Sequence, residues 1–419
     1  MREIQAPKGV SEYFPPRSQY FEFVRETLIT AAKVSGYQLI ELPVFEDTDL
    51  FKRGVGESTD VVSKEMYTFE DRGGRSITLR PEGTAGVMRS VIENNLDKLT
   101  LPIKVWYSGA FFRAERPQAG RYRQFYQVGI EAIGLNDPEI DFEVIAVADR
   151  AFKALGLNSY RLDITSLGDS ASRASHRKDL LIFLDSLNLD EATKARAAIN
   201  PLRLFDDKRE DIQKAMAKAP LLLDYLSPES ADNFARVQEL LTNAGIAFTI
   251  NPRMVRGLDY YTGTTFEFVS DKLGAQSGIG GGGRYDGLMA ELGGNDLSGI
   301  GFGLGVDRIL LACEAEGLFD STEVKSELEL FVIALSAEQK SYVSNLVNDL
   351  RNQGINCDMA YGDRALKGSM KSADKSGARF SVVIGSDEID SGNVALKDMK
   401  TGSIKEVRIS ALSVEVKAN

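Results

Sequence analysis

Arg113 and Glu115, then Phe125, Gln127 and Glu131, are the first side chains in the sequence whose types and spacing suggest chemistry. In an extended chain, alternation puts Phe125, Gln127, Gly129 and Glu131 on one face and Tyr126, Val128 and Ile130 on the other. An amide and a carboxylate inside a strand face make either a polar pocket or a solvated surface. Arg113 and Glu115 share one face of the preceding segment, where a guanidinium can grip a phosphate at two points or simply pair with Glu115.

The segment Gly299-Ile-Gly-Phe-Gly-Leu-Gly-Val-Asp-Arg308 is more specific. Gly301, Gly303 and Gly305 leave one strand face bare while Phe302, Leu304 and Val306 pack behind it. Glycine at period 2 weakens a strand, so something is expected to lie against that face. Asp307 is placed to cap a helix running from Arg308 to Glu316. The spacing is not that of a dinucleotide fingerprint, and the chain has no GxxxxGK[ST], so a nucleotide here would be held by arginines. Taken alone, Gly280-Gly-Gly-Gly-Arg-Tyr-Asp286 reads as a flexible loop and Arg256-Gly-Leu-Asp-Tyr-Tyr-Thr262 as a turn between strands.

The elements that must position these residues follow from pattern. Phe21, Val24, Leu28 and Ala31 recur at helical spacing, with Ser18 as the expected cap and Gly36 as the stop. Tyr37–Pro43 reads as a strand and Glu65–Arg80 as a hairpin turning at Asp71-Arg-Gly-Gly74. Strands near Val105–Glu115 and Arg123–Ile133 are joined by the loop Arg116–Arg121, which favours an antiparallel sheet. From about Gly168 to Gly245 helix formers dominate, and strand signals return at Ala247–Ile250 and Phe266–Val269, so the helical block reads as an insertion. Leu318–Glu329 has a linker's composition. Beyond it, strand (Leu328–Ala334), helix (Ala337–Gln353) and strand (Phe380–Ile384) alternate as in a small α/β domain.

Composition narrows the class. The 419 residues are 43% hydrophobic and 26% charged, ordinary globular values spread over two or three domains. No apolar run reaches the roughly 18 residues of a membrane helix, and Met1–Phe14 lacks a signal peptide's apolar core, so a soluble, cytoplasmic protein with no membrane partner is expected. Cys313 and Cys357 stand far apart with no CxxC, and no metal site is expected. His176 is the only histidine, which excludes HExxH zinc chemistry and argues against a Ser-His-Asp triad. A net charge of -11 argues against a generally basic nucleic-acid coat, leaving room for a local patch.

Together "LRPEGTAGVMRS", "FFRAERPQAGRYRQFYQ", "RGLDYYTG", "GGGGRYDGL" and "GIGFGLGVDR" closely resemble the bacterial histidyl-tRNA synthetase family of class II synthetases, and "ADKSGARF" and "VALKDMKTG" extend the resemblance through the C-terminal part. It implies an α+β fold: a class II antiparallel sheet core flanked by helices (1–325), interrupted by a helical insertion (168–246), then an α/β anticodon-binding domain (328–419). The implied reaction joins L-histidine to tRNA(His) through a histidyl-adenylate, with ATP and phosphate-bridging Mg²⁺.

Carried over by motif, Arg256 and Arg113 are the implied catalytic residues. Glu82, Thr84 and Gln127 would hold the α-amino group, and Glu131, Tyr261 and Tyr285 the imidazole. For ATP the resemblance implies Arg113, Glu115, Arg121, Phe125 and Arg308, with Gly303 and Gly305 beneath. Arg116, Gln118 and Arg123 would face the tRNA acceptor end. Lys367, Lys371, Lys375 and Arg379, four residues apart, would line one helix face as a backbone-binding stripe or as a solvated face. Pro43, at the position of class II motif 1, implies a homodimer. The sequence departs from many relatives at Ala114 and Tyr126, and Tyr126 is expected on the packed side of its strand. A silent paralogue that regulates histidine biosynthesis or senses tRNA is the alternative; the retained RGLDYY segment and C-terminal domain argue against it.

Overall fold

The computed structural model describes residues 3–57, 59–319, 328–362 and 365–418, and the chain divides into two compact units, Met1–Ser321 and Thr322–Asn419. In chain order the strands of the first unit are β1 (Gln38–Leu39), β2 (Phe45–Asp47), β3 (Tyr67–Glu70), β4 (Ser76–Leu79), β5 (Ile103–Phe112), β6 (Gln124–Ile133), β7 (Tyr160–Ser166), β8 (Thr249–Ile250), β9 (Thr262–Ser270), β10 (Gly278–Arg284) and β11 (Gly299–Gly305). Eight of them form one sheet in the order β1-β5-β6-β11-β10-β9-β7-β8. Its inner pairs are antiparallel and its two outermost pairs, β1–β5 and β7–β8, are parallel, so the sheet is mixed at its edges. The hairpin expected at Glu65–Arg80 is β3–β4, which joins β2 in a small antiparallel sheet.

The alternation read in β6 sorts its faces. Val128, Ile130 and Ala132 pack into a core built with the helices Arg17–Val34, Pro138–Leu155, Pro228–Asn243 and Val306–Ala315. Each large side chain fully buried there contributes about 2 kcal/mol. Tyr126 packs on this side, edge-on to Phe21 at 5.1 Å. On the other face Val105, Tyr107, Phe111 and Ile133 meet the helix Thr84–Glu93 through Val87, Met88 and Val91. That second core leaves room over the middle of the sheet, where the site lies.

Several boundaries differ from the sequence reading. The first helix starts at Arg17 after Pro16, which makes no side-chain cap bond, and Ser18 lies inside it. The strand expected over Tyr37–Pro43 keeps only Gln38–Leu39 in the ladder. The carbonyls of Leu42 and Pro43 turn instead to the guanidinium of Arg80 (3.0 and 3.4 Å), and Pro43 has no N–H to offer a ladder. Asp307 is not a cap. The helix begins at Val306, and the Asp307 carboxylate accepts from Tyr13 Oη and the Tyr126 N–H, both at 2.6 Å, tying the N-terminal segment and β6 together. Of the expected linker, residues 320–327 lie outside the described residues.

In the second unit, β12 (Leu330–Ala334), β13 (Cys357–Met359), β14 (Phe380–Ile384), β15 (Asn393–Asp398) and β16 (Ile404–Arg408) form a sheet in the order β13-β12-β14-β15-β16, parallel around β12 and antiparallel beyond β14. Val343, Val347 and Leu350 of the helix Lys340–Asn352 cover one face. Ala373 of the helix Leu366–Ser376 meets Phe331 and Ile333 on the other.

Candidate active site

Two adjoining cavities open on the face that β6 and β11 leave polar or bare. The larger, about 230 Å³, is walled by Glu82, Thr84, Gln127, Tyr261 and Tyr285, with Arg113 and Arg256 among its cations. The smaller, about 120 Å³, is walled by Glu115, Arg121, Phe125, Gly303 and Gly305. Arg113, Gln127 and Arg308 belong to both walls. Residues from five separate stretches of sequence are brought together: four carry β5, β6, β11, β10 and β9, consecutive in the sheet, and the fifth, Glu82–Thr84, leads into the helix Thr84–Glu93.

Glu131 lies beneath the larger cavity rather than in its wall. Its carboxylate accepts from Tyr285 Oη at 2.6 Å, Thr84 Oγ1 at 2.8 Å and Tyr107 Oη at 3.2 Å. Burial pushes its pKa up to about 8; the hydroxyls oppose the rise and the nearby Glu82 adds to it. Glu82 accepts from the N–H groups of Thr84 (2.8 Å) and Ala85 (3.0 Å) at the start of the helix Thr84–Glu93, where the helix dipole favours an anion. Burial raises its pKa as well. Gly83 and Gly129 are required here, since a Cβ on either would overlap the Tyr107 ring.

The arginines are aimed by carbonyls and rings. Arg113 follows directly on β5; its Nε donates to the Pro81 carbonyl (3.0 Å) and its guanidinium lies 5.4 Å from the Phe125 ring centre. The ion pair considered between Arg113 and Glu115 is not formed, because Glu115 pairs with Arg121 across the loop. Arg308 donates to the carbonyls of Gly120 (2.7 Å) and Gly278 (2.6 Å). Burial lowers its pKa, and the charges of Arg121 and Arg113 lower it further. Three mutually repelling guanidiniums around one cavity make a site for a polyanion. Arg256 stands 5.3 Å from the Tyr261 ring centre and 3.6 Å from Glu267, with its Nε buried and unbonded among the described residues.

The bare glycine face is only partly open. A Cβ at Gly301 would strike the Glu131 side chain and one at Gly299 the Tyr285 ring, so those glycines make room for the protein's own residues. Gly303 and Gly305 border the smaller cavity. The glycine-rich signature holds a structural surprise too: Arg284 points away to Asp141 (2.8 Å) and is not in either cavity wall.

Not every expected residue reaches the cavities. Arg116 and Gln118 are exposed on the loop, whose tip is closed by paired backbone bonds between Gln118 and Arg121. Arg123 is turned inward, donating to the Glu115 carbonyl at 3.1 Å and bracing the loop. Lys367, Lys371 and Lys375 are exposed on the helix Leu366–Ser376 in the second unit, but Arg379 falls beyond its end, past Gly377. Asp363, whose charge would dilute the stripe, lies outside the described residues. The sequence reading missed Tyr107, Tyr260 and Glu267. Alternation back from Arg113 reaches Tyr107, and alternation in Phe266-Glu-Phe268 exposes Glu267. Tyr260, which donates to Glu82 at 3.3 Å, sits in an irregular loop that no period describes.

A family model described as histidyl-tRNA synthetase matches residues 9–309, and one described as an anticodon binding domain matches residues 329–419. A histidine--tRNA ligase of Saccharopolyspora erythraea is 59% identical over 407 residues, covering 97% of this chain and 96% of that one. One of Corynebacterium diphtheriae is 57% identical, covering 100% and 98%. Among solved structures, a Staphylococcus aureus histidyl-tRNA synthetase matches with a TM-score of 0.83 at 36% identity, covering 99% of this chain and 100% of that one.

Proposed function

The chain belongs to the histidyl-tRNA synthetase family, and from that premise we propose how its own residues join L-histidine to tRNA(His) at the expense of ATP. That overall activity is the one its relatives carry at high identity over the full length, and the silent-paralogue alternative is not favoured. The residue roles rest on one observation above all: a polar cavity with carboxylates and hydroxyls in its wall shares Arg113, Gln127 and Arg308 with an arginine-rich one.

In the first step a histidine carboxylate oxygen attacks the α-phosphorus of ATP, the bond to the β-phosphate oxygen breaks, and pyrophosphate leaves. Negative charge builds between two anions, so fixed cations supply most of the rate. Arg113 and Arg256 take the α-phosphate, and Arg121 and Arg308 the leaving phosphates. Phe125 stacks on adenine with Glu115 at its edge, and Gly303 and Gly305 let the nucleotide approach the sheet. Glu82, Thr84 and Gln127 hold the α-ammonium. Glu131 accepts an imidazole N–H, with Tyr285 and Tyr261 completing the pocket, by exchanging one of its present hydroxyl partners for the ligand. A pocket built on such hydrogen bonds rejects analogues lacking them by roughly 10⁴–10⁵. In the second step the tRNA terminal ribose hydroxyl attacks the adenylate carbonyl and AMP leaves.

Glu267, an oxygen donor in the cavity wall, would hold Mg²⁺ brought with ATP, and the ion would supply charge neutralisation of the leaving phosphates. The acceptor end meets Arg116 and Gln118 on the loop that Arg123 braces, supported by the insertion 168–246, while Lys367, Lys371 and Lys375 of domain 328–419 follow the RNA backbone. A homodimer through the β1 edge is supported by the exposed Leu39, Val44 and Phe45 beside it. Among the described residues no helix is long and apolar enough to cross a membrane, and the proposed location is the cytoplasm. The test is ATP–pyrophosphate exchange with each amino acid in turn, followed by charging of tRNA(His). Exchange with histidine alone is expected; folded protein without exchange, or exchange with several amino acids, would overturn the reading.

A further inference from the structure

The loop that carries Arg256, from Asn251 to Tyr261, has no regular secondary structure. On one side it borders a cavity of about 290 Å³ walled by Met254, Val255 and Leu258 from the loop and by Leu180, Leu202 and Leu222 from the helical insertion. Three polar tethers join that side of the loop to the insertion. Arg173 Nη1 donates to the Tyr261 carbonyl at 3.0 Å, Arg253 Nη2 reaches the Ala217 carbonyl at 2.8 Å, and Asn200 Nδ2 reaches Asp259 at 3.4 Å.

We infer that Arg173 is a positioning residue for adenylate formation, holding Tyr261 and, through its ring, Arg256. The Tyr261 ring, packed against Tyr260 at 4.8 Å, is what Arg256 stacks against at 5.3 Å, and Tyr261 also walls the larger cavity, so the hydrogen bond to its carbonyl bears on two groups of the site. Arg173 is itself well anchored. It lies in the first turn of the helix Ser170–Asp185, whose cap Asp169 accepts from the Ser172 N–H at 2.7 Å and from Ser227 Oγ at 2.6 Å. Its guanidinium is spent on a backbone carbonyl against the cost of partial burial, which lowers its pKa. The insertion thus acts on the chemical step from outside both cavities.

This inference rests on the role proposed for Arg256, and a double-mutant cycle of histidine-dependent exchange separates the two. Arg173→Met is expected to lower kcat roughly 10- to 100-fold, the scale of a misplaced reacting group, and to raise KM for histidine, with the thermal midpoint little changed. Arg173→Lys, which can still donate to the carbonyl, is expected to recover part of the loss, and it carries the test if Arg173→Met does not fold. In an Arg256→Ala background, Arg173→Met is expected to cost less than about 2-fold more. An equal loss in both backgrounds, or wild-type kinetics for Arg173→Met beside a crippled Arg256→Ala, would overturn the positioning role. Normal exchange by Arg256→Ala alone would instead overturn the catalytic assignment.

Discussion

Glu131 and Asp141 are both carboxylates withdrawn from water in the first unit, and they differ in what meets them. Asp141 faces the buried guanidinium of Arg284, hydrogen-bonded to it at 3.0 Å and ion-paired at 2.8 Å, and that guanidinium also donates to the Asp137 carbonyl at 3.2 Å. Glu131 faces three hydroxyls, and no cation lies within ion-pair distance among the described residues. Burial raises both pKa values, to about 6 for Asp141 and about 8 for Glu131. Arg284 offsets much of the desolvation of Asp141, whereas hydroxyls offset less at Glu131. A carboxylate with its counter-charge in place is a finished structural joint. One held by rearrangeable hydroxyls beside a cavity is ready for a donor brought by a ligand.

The comparison breaks most visibly at Arg284. Arg284→Ala leaves Asp141 buried and unpaired and is expected to cost about 3–5 kcal/mol in urea unfolding, while the exchange rate per folded molecule holds. Loss of exchange from a variant of full stability would place Arg284 in the chemistry instead. Arg256→Ala should show the reverse: a fall in exchange of about 10²–10³, or about 2.7–4 kcal/mol in the barrier, at nearly unchanged stability.

Glu131 sharpens the contrast through pH. Its carboxyl ionises near 4.5 in an unfolded chain and near 8 in the folded one, so between those values the folded protein keeps a proton that the unfolded chain has lost. The stability it contributes is complete below pH 4.5 and is lost as pH rises through 8. Glu131→Gln removes that dependence and should raise the ligand-free Tm by about 2–4 °C at pH 8.5, with less gain at pH 6. A gain that grows toward low pH would contradict the sign. The smallest effect belongs to the second unit, where Lys371→Ala should weaken tRNA binding uniformly across sequences and reduce the slope of log affinity against log salt by about 1.

What was legible in the sequence was whatever alternation or glycine spacing encodes. The faces of β6, the glycine face of β11 and the bounds of β14 follow directly from residue order. What was not legible depended on partners distant in sequence. Asp307 looks like a helix cap until Tyr13 and Tyr126 arrive, and Arg123 looks free until the Glu115 carbonyl takes it. Arg284 and Arg256 sit in equally conspicuous segments; only the fold shows that Asp141 meets one and a cavity meets the other. The strand at Tyr37–Pro43 shrank because Arg80, from the small sheet, takes two of its carbonyls, a competition no local pattern records.

The pairing of Glu131 with the imidazole is tested by histidine-dependent ATP–pyrophosphate exchange with Glu131→Gln. The carboxylate without a counter-charge is proposed as the imidazole's partner, so exchange with histidine should fall by at least about 10²-fold while the protein stays folded. Exchange retained near the wild-type rate would show that Glu131 is as purely structural as Asp141, and the proposed reading of the histidine ring would have to move to other residues.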